Sequence, residues 1–396
     1  MVPTAVSGRA PGGALKKALA IVAILLLAFC VVPLPALESG LATVFGQSRG
    51  TGPLRAGAAR VRIELGEHPV LAGYFGHRRA ADASQPVYAR AIVVEAGGAR
   101  VTLAAIDTLL IPPRLAPDGC ALLAATHTHS GPGGLWNNAV AGWMGAGAPD
   151  DEQQKSVQRA LQAAVAQAAA SLGPAELQMG RELWTEGPAR PRSEGPIDPE
   201  LVALRLRRPS GATIATLVVY AMHPTSAPRE SLSADWPAQL ESDAPVLALQ
   251  GAVGNTTWPR DAPLAAPIAE EVEKLLRDAP LLSDAPIECE TRAVATPPAQ
   301  ASRRVPWLLR RAVGNLLTLL FAPSATQTRL RLGPLSLLGV PGEPVGELGL
   351  RARPTVLVGL AGGYLGYVET PQHWELGEGE SGKTYFGPDL ARALGL

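Results

Sequence analysis

The hydrophobic pattern of the chain changes character several times. Ala18 to Leu37 is a run of twenty apolar residues broken only by Pro33 and Pro35, and Lys16-Lys17 stands just before it. A positive flank ahead of such a run predicts a signal peptide or a single membrane-anchoring helix, with the bulk of the protein outside the cytoplasm, anchored or secreted. Glu38 to Ala59 contains scattered Gly and Ser and reads as a linker. Arg60 to Leu65 and Ala89 to Ile106 alternate or run apolar with Val and Ile, as strands do. Asp151 to Leu172 opens on an acidic cluster, continues in Ala and Gln, and stops at Gly173, which predicts a helix. Leu201 to Leu206 and Ala212 to Val219 flank Pro209-Ser210-Gly211 as a hairpin would, and Asp261 to Asp278 has a helical period. Leu330 to Val340 reads as a strand pair and Thr355 to Gly359 as a buried strand.

Strands and helices mix along the length without a repeat. The pattern predicts an α/β fold, mixed β-sheets with flanking helices in one large domain over 59–396, preceded by a linker over 38–58 and the N-terminal membrane or signal helix over 1–37. One segment stands apart. Arg303, Arg304, Arg310 and Arg311 recur around Trp307, with Leu308, Leu309, Leu316, Leu319 and Leu320 on the other side of a helix running from Arg303 to Phe321. A basic amphipathic helix with an interfacial tryptophan fits a membrane surface, and the same pattern fits a core-facing helix with a solvated arginine face.

Composition narrows the classes. Hydrophobic residues make up 47% of the 396 positions, enough for a folded core rather than disorder. Lys plus Arg and Asp plus Glu both number 35, and no basic arm appears, so nothing in the charge attracts nucleic acid. The three cysteines, Cys30, Cys120 and Cys289, permit at most one bridge outside the leader and no cysteine-based zinc cluster.

The chemistry concentrates in Thr126-His127-Thr128-His129-Ser130-Gly131-Pro132-Gly133-Gly134, which follows an apolar strand, Ala121 to Ala125. On an extended backbone residues i and i+2 share a side, so both imidazoles can face one cavity as a metal ligand beside an acid/base group. Two loop histidines bonded to backbone would have the same spacing. Four further clusters follow strands: His223-Pro224-Thr225-Ser226, Gln250 to Thr257, Pro341-Gly342-Glu343, and Gly362-Gly363-Tyr364-Leu365-Gly366-Tyr367. Imidazole, imidazole, carboxylate and a further oxygen converging from strand ends make a reasonable zinc site. Asp107 and Asp235 are weaker candidates, as partners that orient the histidines.

These segments, in this order from about Ala59 to the C-terminus, resemble the neutral (non-lysosomal) ceramidase family, zinc amidases that cleave N-acylsphingosine. The Thr-His-Thr-His-Ser-Gly-Pro-Gly-Gly run is the most specific of the shared motifs, supported by Phe386-Gly387-Pro388. The resemblance implies one Zn²⁺ per chain on His127, His223, Glu343 and Tyr367, with His129 as the acid/base group and Arg192 binding substrate. It implies ceramide or a related N-acyl lipid as substrate, met at a membrane surface through the N-terminal segment and the Arg303–Phe321 helix. The chain departs from the family at two points. Thr257 stands where the family has an essential serine hydroxyl, and Gly379 stands where it has a tyrosine that stabilises the reacting carbonyl, with Tyr385 close by in sequence. The family's C-terminal immunoglobulin-like domain has no counterpart here. A zinc amidase for another N-acyl lipid or a cell-wall amide would keep the ligands and change the pocket; a lipid-binding relative would keep the fold without turnover.

Overall fold

The computed structural model describes Val32 and residues 44–240, 242–258, 266–320 and 325–396. The N-terminal helix expected over 1–37 therefore lies outside the described residues, apart from Val32. Three sheets carry the fold. The first sets Val44–Pro53 beside Asp284–Ala293, Thr326–Leu332, Leu335–Gly339 and Val356–Val358. The second runs Ala121–Ala125, Ala99–Ile106, Tyr88–Ala96, Arg55–Arg62 and Gly173–Pro174. The third runs Val246–Gln250, Thr213–Tyr220, Glu200–Arg207 and Glu176–Leu183. The segment read as a linker thus supplies a strand, Val44–Pro53, whose alternate polar side chains point to solvent.

The inner faces of all three sheets share one core. Ile92, Val94 and Leu103 of the second sheet meet Val202 and Leu217 of the third and Ile287 and Leu330 of the first. Ala91 and Val93 point the opposite way, under the helix Asp151–Ala170, and Leu201 and Ala203 likewise face the helix Ala266–Arg277. Burial on both faces explains why these strands read as continuous apolar runs. The helix Asp151–Ala170 begins where Asp150 accepts a hydrogen bond from the Gln153 backbone, and it buries Val157, Ala160, Leu161, Ala164 and Ala168 along one stripe. A disulfide joins Cys120, just before the second sheet's edge strand, to Cys289 of the first sheet.

The helix Trp307–Leu320 is turned outward. Trp307 is 74% exposed, Leu308 66% and Leu319 59%, while Gly314, Asn315 and Thr318 are buried. That arrangement rules out the core-facing alternative for this segment. Asn315 Nδ2 donates to the Val32 carbonyl at 2.8 Å, so Val32, within the apolar N-terminal run, meets this helix. No helix among the described residues is long and apolar enough to cross a membrane.

What positions the site is a regularity in the sheets. Each contains one parallel pair: Ala99–Ile106 with Ala121–Ala125, Thr213–Tyr220 with Val246–Gln250, and Leu335–Gly339 with Val356–Val358. The carboxyl ends of these pairs come together, where open α/β sheets usually present their ligand sites. Gln250 Nε2 donates to the Thr126 carbonyl at 2.9 Å, Gly359 N to the Gln250 carbonyl at 2.9 Å, and Ala125 N to the Leu360 carbonyl at 3.1 Å. Three sheets are tied at one point by these bonds.

Candidate metal centre

His127 follows the strand Ala121–Ala125 but leaves extended geometry, with φ at +67°. The two imidazoles of the motif therefore converge because the chain turns at His127, not because of strand alternation. A left-handed conformation at a non-glycine residue costs of the order of 1 kcal/mol, and its neighbours hold it in place. The His127 backbone donates to the Thr108 carbonyl and its Nδ1 to the Leu109 carbonyl, each at 3.0 Å. A carbonyl only accepts, so Nδ1 carries the proton and Nε2 presents a lone pair to the site. The glycine-rich turn beyond is clamped by Gln153, whose Nε2 donates to the Gly133 and Val70 carbonyls at 2.7 Å.

His223 leaves the strand Thr213–Tyr220, and Glu343 forms a two-residue parallel bridge with Tyr367. Glu343 Oε2 lies 3.2 Å from His127 Nε2 and 3.0 Å from His223 Nε2. All three residues are almost wholly buried. Tyr364 donates to the other carboxylate oxygen at 2.8 Å, and Tyr367, held against Glu343, accepts from Arg192 Nη2 at 3.0 Å. Zinc ligands at about 2.0–2.1 Å in a tetrahedron stand about 3.3 Å apart, close to the spacing of these three atoms. His127, His129 and His223 also form a ring-nitrogen group, within 4.8 Å of one another. The closer spacing favours His127, His223 and Glu343 as the ligand set, with His129 alongside. His127 Nε2 and both ring nitrogens of His129 are buried with no hydrogen-bond partner among the described residues, as fits a centre that takes up a cation and a polar ligand.

The electrostatics agree with a neutral-imidazole, ionised-carboxylate centre. Burial pulls the His223 imidazolium down to about 4, against a partly opposing pull from Glu343. Burial, then His127 and His223, hold His129 well below the usual histidine range. Burial alone would raise the Glu343 carboxyl, but His127 and His223 outweigh it and keep it well below its usual value. Burial raises Tyr364 and Tyr367 well above the usual phenol range, and the Glu343 charge adds to it. Tyr74 packs edge-on against His129 with ring centroids 5.3 Å apart. Gly73, at φ +115°, allows that approach, because a Cβ there would stand 2.5 Å from the His129 Cα.

The remaining sequence candidates fall in different places. Arg192 reaches the cluster, with Nη1 at 3.4 Å from His223 Nε2. Thr257 sits opposite Arg190 in a two-residue antiparallel ladder whose other strand, Arg190–Pro191, leads into Arg192. Asp107 does not orient a histidine: its carboxylate accepts from Arg90 and the Tyr88 backbone, both at 2.8 Å. Asp235 instead organises the turn after His223, accepting from the Ser226 and Ala227 backbones at 2.7 Å. Asn255 is buried, its amide bonded to the Pro196 and Gly195 carbonyls. Gly379 has φ +53°, and a Cβ there would stand 2.2 Å from Glu369 Oε2, so a larger residue would strain the backbone and push the Glu369 carboxylate aside. Tyr385 lies against Gly366, and burial together with the Glu343 charge pushes its phenol up to about 12. Sequence reasoning missed two contributors. Tyr364 was legible as part of the Gly-Tyr-x-x-Tyr run, whereas Glu380 lies in a turn with no periodic signal.

The chain matches no protein-family model and no curated protein sequence. Among solved structures, neutral ceramidase from Pseudomonas aeruginosa is similar with a TM-score of 0.72 and 19% identity, over 86% of this chain and 72% of that one. A ceramidase complexed with C2 is similar with a TM-score of 0.73 and 19% identity, over 87% of this chain and 74% of that one. At this identity the likeness is one of architecture: the chain has the fold of neutral ceramidase.

Proposed function

We propose that this protein is a zinc-dependent amidohydrolase that cleaves the amide of ceramide, or of a closely related N-acyl lipid, to fatty acid and amine. The observation that carries the reading is the placement of Glu343 Oε2 within 3.2 Å of the Nε2 atoms of His127 and His223, with Tyr367 beside it and a third imidazole, His129, alongside. When bound, zinc would polarise the acyl carbonyl and ease deprotonation of a water. His129, held below the usual histidine range by burial and by His127 and His223, would take the water's proton and hand one to the departing nitrogen. Arg192 would orient the substrate's polar group, with Thr257 on the adjacent ladder.

The fold shared with two ceramidases supports an N-acyl lipid over other amides. The exposed leucine face of Trp307–Leu320, with Arg311 beside it, supports action at a membrane surface, and the Cys120–Cys289 bridge supports an oxidising, extracytoplasmic location, anchored or secreted. Gly379 favours a second reading, in which the amide belongs to a different N-acyl lipid, because glycine stands where the family has its tyrosine and its backbone, at φ +53°, disfavours a larger side chain. A panel of N-acylsphingosines and other N-acyl amines, presented in detergent micelles to zinc-loaded protein, separates the two. Release of fatty acid chiefly from N-acylsphingosine supports the first; preference for another amine supports the second.

A further inference from the structure

Arg192 makes an unusual set of bonds. Its Nη2 donates to the Gly254 carbonyl at 2.7 Å, to the Tyr367 hydroxyl at 3.0 Å and to Glu380 Oε1 at 3.0 Å. Its Nε also donates to Glu380 Oε1, at 3.2 Å. The Nε–Nη2 edge is thus fully subscribed. Among the described residues Nη1 has one hydrogen-bonding neighbour, His223 Nε2 at 3.4 Å. That nitrogen is one of the proposed ligand atoms, and a lone pair given to a cation cannot also accept from Arg192. With the centre loaded, the two N–H groups of Nη1 would face the site with no acceptor among the described residues. A guanidinium edge aimed into the centre in that way suits an oxygen of a ligand.

Glu380 determines that this donor faces inward. Its side chain is 6% exposed, and besides Arg192 it accepts from Ser193 Oγ at 2.9 Å and from Lys383 Nζ at 2.8 Å. Two cations balance the buried carboxylate, which keeps it ionised and bonded. Its backbone is fixed in turn, because Glu380 N donates to Glu369 Oε2 at 2.8 Å. Without Glu380 the Nε–Nη2 edge would lose its anionic partner, and the guanidinium could swing toward solvent, since the Arg192 side chain is 30% exposed.

We infer that Glu380 is a positioning residue for substrate binding: it pins the Nε–Nη2 edge of Arg192 so that Nη1 presents its donors to a hydroxyl or carbonyl oxygen of the bound N-acyl lipid. The inference rests on the proposed function. It concerns a residue that none of the sequence motifs singled out.

The test is a binding measurement in a background that does not turn over. Zinc-loaded His129→Ala protein is titrated with N-acetylsphingosine in detergent, alone and combined with Arg192→Ala, with Glu380→Ala, with both, and with Glu380→Gln. Arg192→Ala and Glu380→Ala should each weaken binding about 10- to 100-fold, the range for a hydrogen bond to a charged group, and together they should cost little more than either alone. Glu380→Gln keeps a carbonyl oxygen for Arg192 and Ser193, and should recover most of the affinity. Zinc content and melting temperature, followed on each variant, separate this from a folding defect, and Glu380→Gln carries the test should Glu380→Ala fail to fold. Binding that Arg192→Ala weakens and both Glu380 variants leave intact, or losses that simply add, would overturn the inference while leaving the proposed function standing. No binding of any N-acyl lipid to the His129→Ala protein would overturn the function and the inference together.

Discussion

His223 Nε2 lies 3.0 Å from Glu343 Oε2, although the two residues are 120 positions apart in the chain. Each arrives from a different sheet, past the carboxyl end of a strand that belongs to a parallel pair. Two buried imidazoles and a carboxylate at that spacing have little structural reason to gather without a cation between them. Replacing His127, His223 or Glu343 by Ala should therefore remove bound zinc and hydrolysis together. The loss of affinity should exceed the 10- to 100-fold typical of residues that merely support a ligand. Metal analysis of the purified variants checks this.

His129 stands half-buried beside the ligand set, its two ring nitrogens shielded and without a hydrogen-bond partner among the described residues. Its replacement by Ala should leave zinc stoichiometric and lower kcat by about 10²- to 10⁴-fold, the usual contribution of a positioned acid/base group. Parallel metal and rate measurements on the same sample distinguish this from loss of a ligand.

Stability of the metal-free protein should depend on pH in a defined window. The His223 imidazole, ordinarily near 6.5, is pulled down to about 4 by burial, so between these values the unfolded chain binds the proton and the folded one does not. Stability is then full above about 6.5 and falls as the pH drops toward 4, by up to about 3 kcal/mol for this one group. Thermal melts of metal-free wild type and His223→Gln across that range should converge at low pH. Parallel curves would contradict the assignment.

The sequence and the structure part company at identifiable places. Thr126 to Gly134 carried its own geometry, because the glycines and proline demand a turn and the histidines have no apolar role. His223 and Glu343 were legible for the same reason, as polar groups just past apolar strands. The Val44–Pro53 strand was not, since Gly, Ser and Thr alternate with little apolar content and the pairing with Asp284–Ala293 joins residues over 200 positions apart. Nor was Glu380, because the turn that delivers it is set by contacts with Glu369 and Glu194 rather than by any local period. For Trp307–Leu320 the period was clear and the facing was not: which side is buried depends on what the helix packs against.

That outward leucine face makes a prediction of its own. Leu308→Gln with Leu309→Gln should leave folding and hydrolysis of a micelle-dispersed short-chain substrate intact. Binding to phospholipid vesicles should fall about tenfold or more per side chain, from the apolar area each withdraws from water. Vesicle co-sedimentation reads this directly.

The Cys120–Cys289 bridge closes a loop spanning 169 residues and ties the first sheet to the second. Replacing both cysteines by Ser should lower stability by about 2–5 kcal/mol, with the centre itself unchanged. Denaturant titration of both forms, with zinc content as the control, checks it.

The central claim is that this site holds zinc and uses His129 to hydrolyse an N-acyl lipid. The most direct test measures zinc per chain and fatty-acid release from N-acylsphingosines on one preparation, beside His129→Ala. The account predicts one zinc in both proteins and release in the wild type alone. Protein purified without zinc that takes up none on addition, or one zinc per chain with equal rates in both proteins, would contradict it.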